Sequence, residues 1–270
     1  MRIASVTEVF VVADPVPLPS RGRVFTSERV VRLGDVTPRS RLRFDALARY
    51  LQDIATDDAL DGGYEDPYGW VVRRTEVWMY EFPSYVQRLR LATWCGGLGS
   101  HWAERRTQVS IIDGEHARVV AEAATLWVHV DLTTLKPTPL PAGFAEVVAE
   151  AAGSRRIGAR LHVGRDVPPA VDADESWELP LRFSDFDAIG HVNNAVYWEA
   201  TEQFLAAERT MRAPLHVTVE HHRSLERGAL PVIAVHRLGG RIVLRHLDGD
   251  ETAALTQIVP LSGAAGTVTA

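Results

Sequence analysis

Between Arg182 and Phe204 the chain reads RFSDFDAIGHVNNAVYWEATEQF, a stretch that concentrates residue types able to perform acid–base and carbonyl chemistry. A strand pattern (WELPLRF, 177–183) leads into a loop carrying Asp185, Asp187, Gly190 and His191, and a helical pattern follows from about Asn194 to Arg209. Asn193 and Asn194 are natural N-caps, so the loop delivers Asp187, Gly190 and His191 to a helix N-terminus. Backbone N–H groups are unpaired there and the helix dipole is positive. Amides near Val192 to Asn194 can therefore hold the oxyanion of a tetrahedral intermediate, and Gly190 lets a ligand approach the backbone. Asp187 is the candidate general base toward water, or else a nucleophile. His191 can orient the water or the carboxylate, or hydrogen-bond the substrate carbonyl. This chemistry calls for no metal or cofactor. Asp, Gly, His and Asn at a strand-to-helix loop are also ordinary turn and capping chemistry.

A second loop bears on that choice. Residues 34–55 set against 184–205 without gaps bring Asp35 onto Asp185, Leu47 onto Tyr197 and Ile54 onto Phe204. The first loop carries Thr37 at the Asp187 position and Arg41 at the His191 position, and capping alone would not demand a special version in one half only. Each half reads as strand, helix and about four strands. The first has a strand at 23–34, a helix at 43–61 with Phe44, Leu47, Leu51, Ile54 and Ala55 on one face, a stop at Gly62–Gly63, then four strand-like segments between Trp70 and Asp131. The second has strands at 214–223, 229–238, 240–247 and 252–260. A long helix followed by an antiparallel meander implies a helix wrapped by a sheet, and two such units can join their sheets. Two unrelated α+β domains are the alternative. The expected bounds are an N-terminal arm at 1–22, a first unit at 23–134, a linker at 135–174, a catalytic unit at 175–262 and a frayed tail at 263–270.

The formal net charge of −6 gives no global reason to expect nucleic-acid binding. A single cysteine, Cys95, excludes an internal disulfide and a multi-thiolate zinc site; it reads as a small core residue. No stretch approaches the roughly 18 apolar residues of a membrane span, and the expected location is the cytoplasm. His221 and His222 read as a surface strand. Arg73–Arg74, Arg88, Arg90, Arg105–Arg106 and Arg209–Arg212 are basic sites that could meet an acidic partner, though solvated strand faces also explain them.

DFDAIGHVNNAVYW resembles the D-x-D-x-x-G-H-V-N-N-x-x-Y signature of hotdog thioesterases. In the first half Trp70, Tyr80 with Pro83, Thr93-Trp94-Cys95, Trp102 with Glu104-Arg105, and Tyr50-Leu51-Gln52-Asp53 are similar to the acyl-ACP thioesterase family, over roughly 23–260. The resemblance implies an α+β double hotdog in one chain, with Asp187 and His191 catalytic; Asn193 and Asn194 are expected with them in the catalytic set, and Gly190 and Val192 against the substrate. It further implies hydrolysis of the fatty acyl thioester on the phosphopantetheine of acyl carrier protein, and a homodimer is compatible with it. The first half would hold the acyl chain, with Leu47, Leu51, Ile54, Val77, Met79 and Trp94 as candidate lining. The chain departs from the plant members at Ile189, where they have asparagine, and at Ser224 and Leu225, where they have glutamate and cysteine; Glu226 follows. A papain-like cysteine mechanism is therefore not supported. An acyl-CoA thioesterase and a non-catalytic acyl-binding protein are the rival readings.

Overall fold

The computed structural model describes residues 12–63, 69–208 and 211–261. The part of the expected N-terminal arm before residue 12, Arg209 and the expected frayed tail at 263–270 lie outside the described residues. The first half contains β1 (Phe25–Val30), α1 (Phe44–Asp61), β2 (Trp70–Met79), β3 (Arg88–Leu98), β4 (Trp102–Asp113) and β5 (His116–His129). A connecting segment holds α2 (Phe144–Ala152), and the second half contains β6 (Glu175–Glu178), α3 (Tyr197–Ala207), β7 (Leu215–His221), β8 (Val232–Leu238), β9 (Arg241–Asp248) and β10 (Glu251–Pro260).

The strands form one antiparallel sheet of ten, in the order β1-β3-β4-β5-β2-β7-β10-β9-β8-β6. Read from the two edges inward, β1, β3, β4, β5 and β2 correspond to β6, β8, β9, β10 and β7. The order is thus that of one unit repeated about a pseudo-two-fold axis through the β2–β7 seam, which is the expected double hotdog. Val77 faces Val217 and Met79 faces Leu215 across the seam. All four are almost fully buried, each stabilising the fold by roughly 1.5–3 kcal/mol.

α1 forms because Phe44, Leu47, Leu51 and Ile54 recur at helical spacing and bury one face against the sheet. It stops where the Gly62 N–H bonds back to Asp58 O and Gly63 turns left-handed at φ 72°. α1 and α3 contact each other, and one hydrophobic cluster runs through both halves.

The other face of the sheet is crossed by the connecting segment. Ile157 O accepts the Trp102 indole N–H, Arg160 O accepts from Arg74, and the Glu220 carboxylate accepts the N–H groups of His162 and Val163. Further on, Arg245 donates to Pro168 O. The strap, together with α1, corrects the reading of several arginines as solvated or partner-facing. Arg74 and Arg106 are buried and paired with Glu76 and Glu104. Arg105 is held by Asp58 at 2.6 Å. Arg73 donates to His221 O. Only Arg88, Arg90 and Arg212 of the described set are open to solvent, the first two sharing Glu28.

Candidate active site

The two helix-entry loops share one backbone at a constant offset of 150 residues. A 3-10 turn opens each, over Leu33–Asp35 and Phe183–Asp185. Asp35 and Asp185 accept the N–H groups of Arg32 and Arg182 at 2.9 and 2.7 Å. Thr37 N–H bonds Arg41 O, as Asp187 N–H bonds His191 O, both at 2.8 Å. Arg43 N–H reaches Asp35 O and Asn193 N–H reaches Asp185 O. Ser40 and Gly190 both have positive φ, 62° and 85°. A Cβ on Gly190 would meet nothing within 4 Å, so what asks for glycine here is the left-handed turn.

In the second loop Asp187 Oδ1 accepts from Ile189 N and His191 N, both at 3.1 Å. Oδ2 has no protein partner among the described residues and is the oxygen free to meet a water. The Val192 N–H is spent on Leu225 O and the Asn193 N–H on Asp185 O. Of the three amides expected to act, that of Asn194 bonds no acceptor among the described residues. α3 starts later than expected from α1. Residues 193–199 first close an i→i+3 turn, with Val196 N–H on Asn193 O and Trp198 N–H on Ala195 O, and the Asn193 side chain accepts from Ala195 N at 2.9 Å.

Beneath the loop the second half is polar where the first is apolar. Tyr197 stands where the first half has Leu47. Its hydroxyl accepts the Leu225 N–H at 3.2 Å, and Leu225 O accepts from Val192, so Tyr197 clamps the loop through the segment where the family pattern is broken. Burial pushes the phenol up to about 12, with Asp187 and Asp248 adding to the shift. His221 packs edge-on against Tyr197 at 4.7 Å and His246 lies 5.5 Å from it. Burial holds both imidazoles down to about 3, so both are neutral near neutrality. This corrects the reading of His221 as a surface residue: β7 is buried at every position because it sits at the seam. His222 is exposed.

The clearest difference lies at the amide following the loop. In the first half Phe44 N–H, the counterpart of Asn194 N–H, is taken by Glu202 Oε1 of α3 at 2.7 Å. Arg41 clasps the same carboxylate through two nitrogens at 3.1 and 2.9 Å. Phe44 and Trp198 stack at 5.7 Å and Phe82 closes edge-on at 5.4 Å. In the second half the residue matching Glu202 is Gln52, whose Nε2 bonds Asn193 Oδ1 at 3.1 Å. A cavity of about 20 Å³ opens beside it, lined by Leu51, Gln52, Thr75, Trp127, Asn194 and Trp198 among others; that is room for a single water. Trp127 also walls a cavity of about 100 Å³ further along α1, between Ala55, Cys95, Phe144 and Val148.

Of the expected chain-binding residues, Leu51 lines the cavity at Asn194. Leu47, Ile54, Val77 and Met79 are packed in the core. Trp94 is buried and lines neither cavity. Asp187 and His191 stand half-buried at the loop and touch neither cavity. Ile189 is exposed. Burial pushes the Cys95 thiol up to about 11, which keeps it protonated. Among the described residues no group of three or more His, Cys, Asp or Glu is placed to hold a metal. Gln52, Glu202, Trp127 and Tyr197 were not among the expected site residues, although the ungapped alignment sets Gln52 on Glu202 and Leu47 on Tyr197.

Two family models match the chain: the acyl-ACP thioesterase N-terminal domain over residues 22–148 and the acyl-ACP thioesterase C-terminal domain over 169–252. An uncharacterized protein of Mycobacterium tuberculosis is 26% identical over 240 residues, covering 87% of this chain and 92% of that protein. The fold is similar to the acyl-ACP thioesterase of Bacteroides thetaiotaomicron, with a TM-score of 0.72 at 20% identity over 87% of this chain and 97% of that one. It is also similar to the 12:0-ACP thioesterase of Umbellularia californica, with a TM-score of 0.68 at 20% identity over 88% and 97%.

Proposed function

Since the chain belongs to the acyl-ACP thioesterase family and is a thioester hydrolase, we propose that it cleaves the fatty acyl thioester of acyl carrier protein at a single centre built on the 185–194 loop. The observation that carries this reading is the open Asn194 N–H beside a Leu51-lined cavity, set against the same amide closed by Glu202 in the other half. Asp187, through its free Oδ2, takes a proton from water as that water attacks the thioester carbon. The carbonyl oxygen becomes an oxyanion facing the Asn194 N–H. Collapse breaks the carbon–sulfur bond, and the phosphopantetheine thiolate leaves with the proton held by Asp187. His191, anchored by its backbone to Asp187 at both N–H and C=O, keeps the carboxylate in register.

The cavities along α1, of about 100 and 20 Å³, are each too small for a long acyl chain, and a third, of about 740 Å³, lies at the first loop among Thr37, Arg41, Phe82 and Glu202. The test is kcat/KM for acyl-ACP and acyl-CoA of matched chain length. A preference for the carrier protein of tenfold or more is expected. Equal or better turnover of the CoA thioester would overturn the carrier-protein assignment while leaving thioester hydrolysis intact.

A further inference from the structure

The pseudo-two-fold axis supplies an internal control for the open amide. Residues 44 and 194 occupy matching positions at the loop ends, and each faces the helix of the opposite half. The residue that α3 offers to Phe44 is Glu202, and the residue that α1 offers to the second loop is Gln52. A glutamate at this place reaches the amide at 2.7 Å and closes it. Gln52 behaves differently. It turns its NH₂ to Asn193 Oδ1, the same oxygen that accepts from Ala195 N. Gln52 therefore braces the tight turn that opens α3 and leaves the Asn194 N–H without an acceptor among the described residues, beside the cavity that both residues line.

The chemistry of the two side chains explains the choice. A carboxylate is acceptor-only and is drawn to an unpaired N–H at a positive helix end. A carboxamide has a donor to spend on Asn193 and a much weaker pull on the amide. The half-buried setting of Gln52 raises the stakes, because a charge-assisted bond there is short and strong. The residues flanking Asn193 and Asn194 differ in step. Arg43, the counterpart of Asn193, turns its side chain to Asp45 and to Val36 O, so no brace exists in the closed half. Arg41, the counterpart of His191, instead fastens the closing carboxylate.

We propose that Gln52, contributed by the acyl-binding half, is a positioning residue of the second-half centre: it holds Asn193 and, by being an amide instead of an acid, keeps the Asn194 N–H open to the substrate oxygen. The role of that N–H rests on the thioesterase reading above; its being open or closed does not.

The experiment compares Gln52→Glu and Gln52→Met in the full-length protein. Gln52→Glu should fold with an unchanged unfolding midpoint and lose about 10²-fold in kcat on acyl-ACP, the typical cost of one oxyanion donor, with KM within threefold. Gln52→Met removes the brace without inserting an acceptor, and its loss should be about tenfold or less. Independently of turnover, the Asn194 amide proton should exchange with solvent readily in the native protein. In Gln52→Glu it should move downfield and become protected. An unprotected, unshifted Asn194 amide in folded Gln52→Glu would overturn the proposal, as would a Gln52→Met variant slower than Gln52→Glu or a Gln52→Glu defect confined to KM. A native protein without thioesterase activity, but with the protected amide in Gln52→Glu, would sink the functional reading and leave the gate standing.

Discussion

The loops at 35–44 and 185–194 share the backbone hydrogen bonds made within them, and they differ in how the following helix starts and in what fills them. The first ends at an amide bound by Glu202, backed by Arg41 and covered by the Phe44–Trp198 stack. The second ends at an open amide next to a cavity, with a carboxylate oxygen of Asp187 unspent. Backbone geometry alone therefore does not make a site. A handful of side chains decide it, and half of the decisive ones come from the opposite helix. The acyl-binding role proposed for the first half is compatible with a loop whose amide is already taken by Glu202.

The sharpest way to break this comparison is to remove its main chemical difference. Asp187→Asn keeps the Oδ1 acceptor for Ile189 and His191 and removes the proposed base. It should lose about 10²–10⁴-fold in kcat with an unchanged unfolding midpoint. Steady-state kinetics on acyl-ACP alongside thermal unfolding would decide it, and near-native kcat in the folded variant would remove Asp187 from the chemistry.

A second prediction concerns what the closed half is for. Trp127 lines both the cavity at Leu51 and the larger one at Phe144 and Val148, and its indole N–H is buried with no partner among the described residues. Trp127→Leu should join the two spaces and shift preference toward longer chains. Each added methylene that becomes buried is worth about 0.8 kcal/mol, or roughly fourfold in kcat/KM. A chain-length series of acyl-ACP substrates measures this, and an unchanged profile would move the acyl site elsewhere.

Much of this asymmetry is legible in the sequence. The offset of 150 residues placed Thr37 on Asp187 and Arg41 on His191, and every paired backbone bond in the loops follows it. Local signals suffice there because loop geometry is set by short-range bonds. The Glu202–Phe44 and Gln52–Asn193 contacts join residues more than 140 positions apart, and nothing local encodes such pairing. The buried arginines were misread for a related reason. Alternation along β2 and β4 marks Arg74 and Arg106 as facing away from the helices, but the strap that covers that face lies in a segment with no periodicity to announce it. His221 was misread because a seam strand is buried on both faces and loses its alternation. Core packing and ligand lining look alike in sequence: of the six expected lining residues Leu51 sits at a cavity edge, while Leu47, Ile54, Val77 and Met79 belong to the core cluster.

The polar floor under the second loop gives a third, smaller effect. An unfolded chain protonates His221 and His246 below about pH 6.5, whereas the folded protein resists until about 3 because both are buried. The unfolded state binds more protons across that window, so stability is full above pH 6.5 and falls as pH drops toward 3. The slope is up to about 1.4 kcal/mol per pH unit for each histidine. His221→Leu should flatten the dependence of the urea midpoint between pH 6.5 and 4 relative to the native protein. Parallel curves would contradict the buried, neutral assignment.

The smallest expected effect lies in the closed loop. Thr37 occupies the Asp187 position, yet its hydroxyl stays protonated near neutrality and only accepts the Arg39 N–H at 3.3 Å. Arg41 has no lone pair to accept a proton and is committed to Glu202. Thr37→Ala should therefore change kcat by less than twofold and stability by about 0.5–1 kcal/mol, the worth of one exposed hydrogen bond. Titration with a tight transition-state analogue should return one site per chain in both the native protein and Thr37→Ala, and none in Asp187→Asn. Thr37→Asp sharpens the point, because it restores a carboxylate to the closed loop while Glu202 still holds the Phe44 amide. If the carboxylate alone made a site, that variant would titrate at two per chain. If the open amide is equally required, it stays at one. A stoichiometry of two in Thr37→Asp, or a large loss of kcat in Thr37→Ala, would mean that the first loop is not closed in solution and that the ion pair across the two halves does not do what its geometry implies.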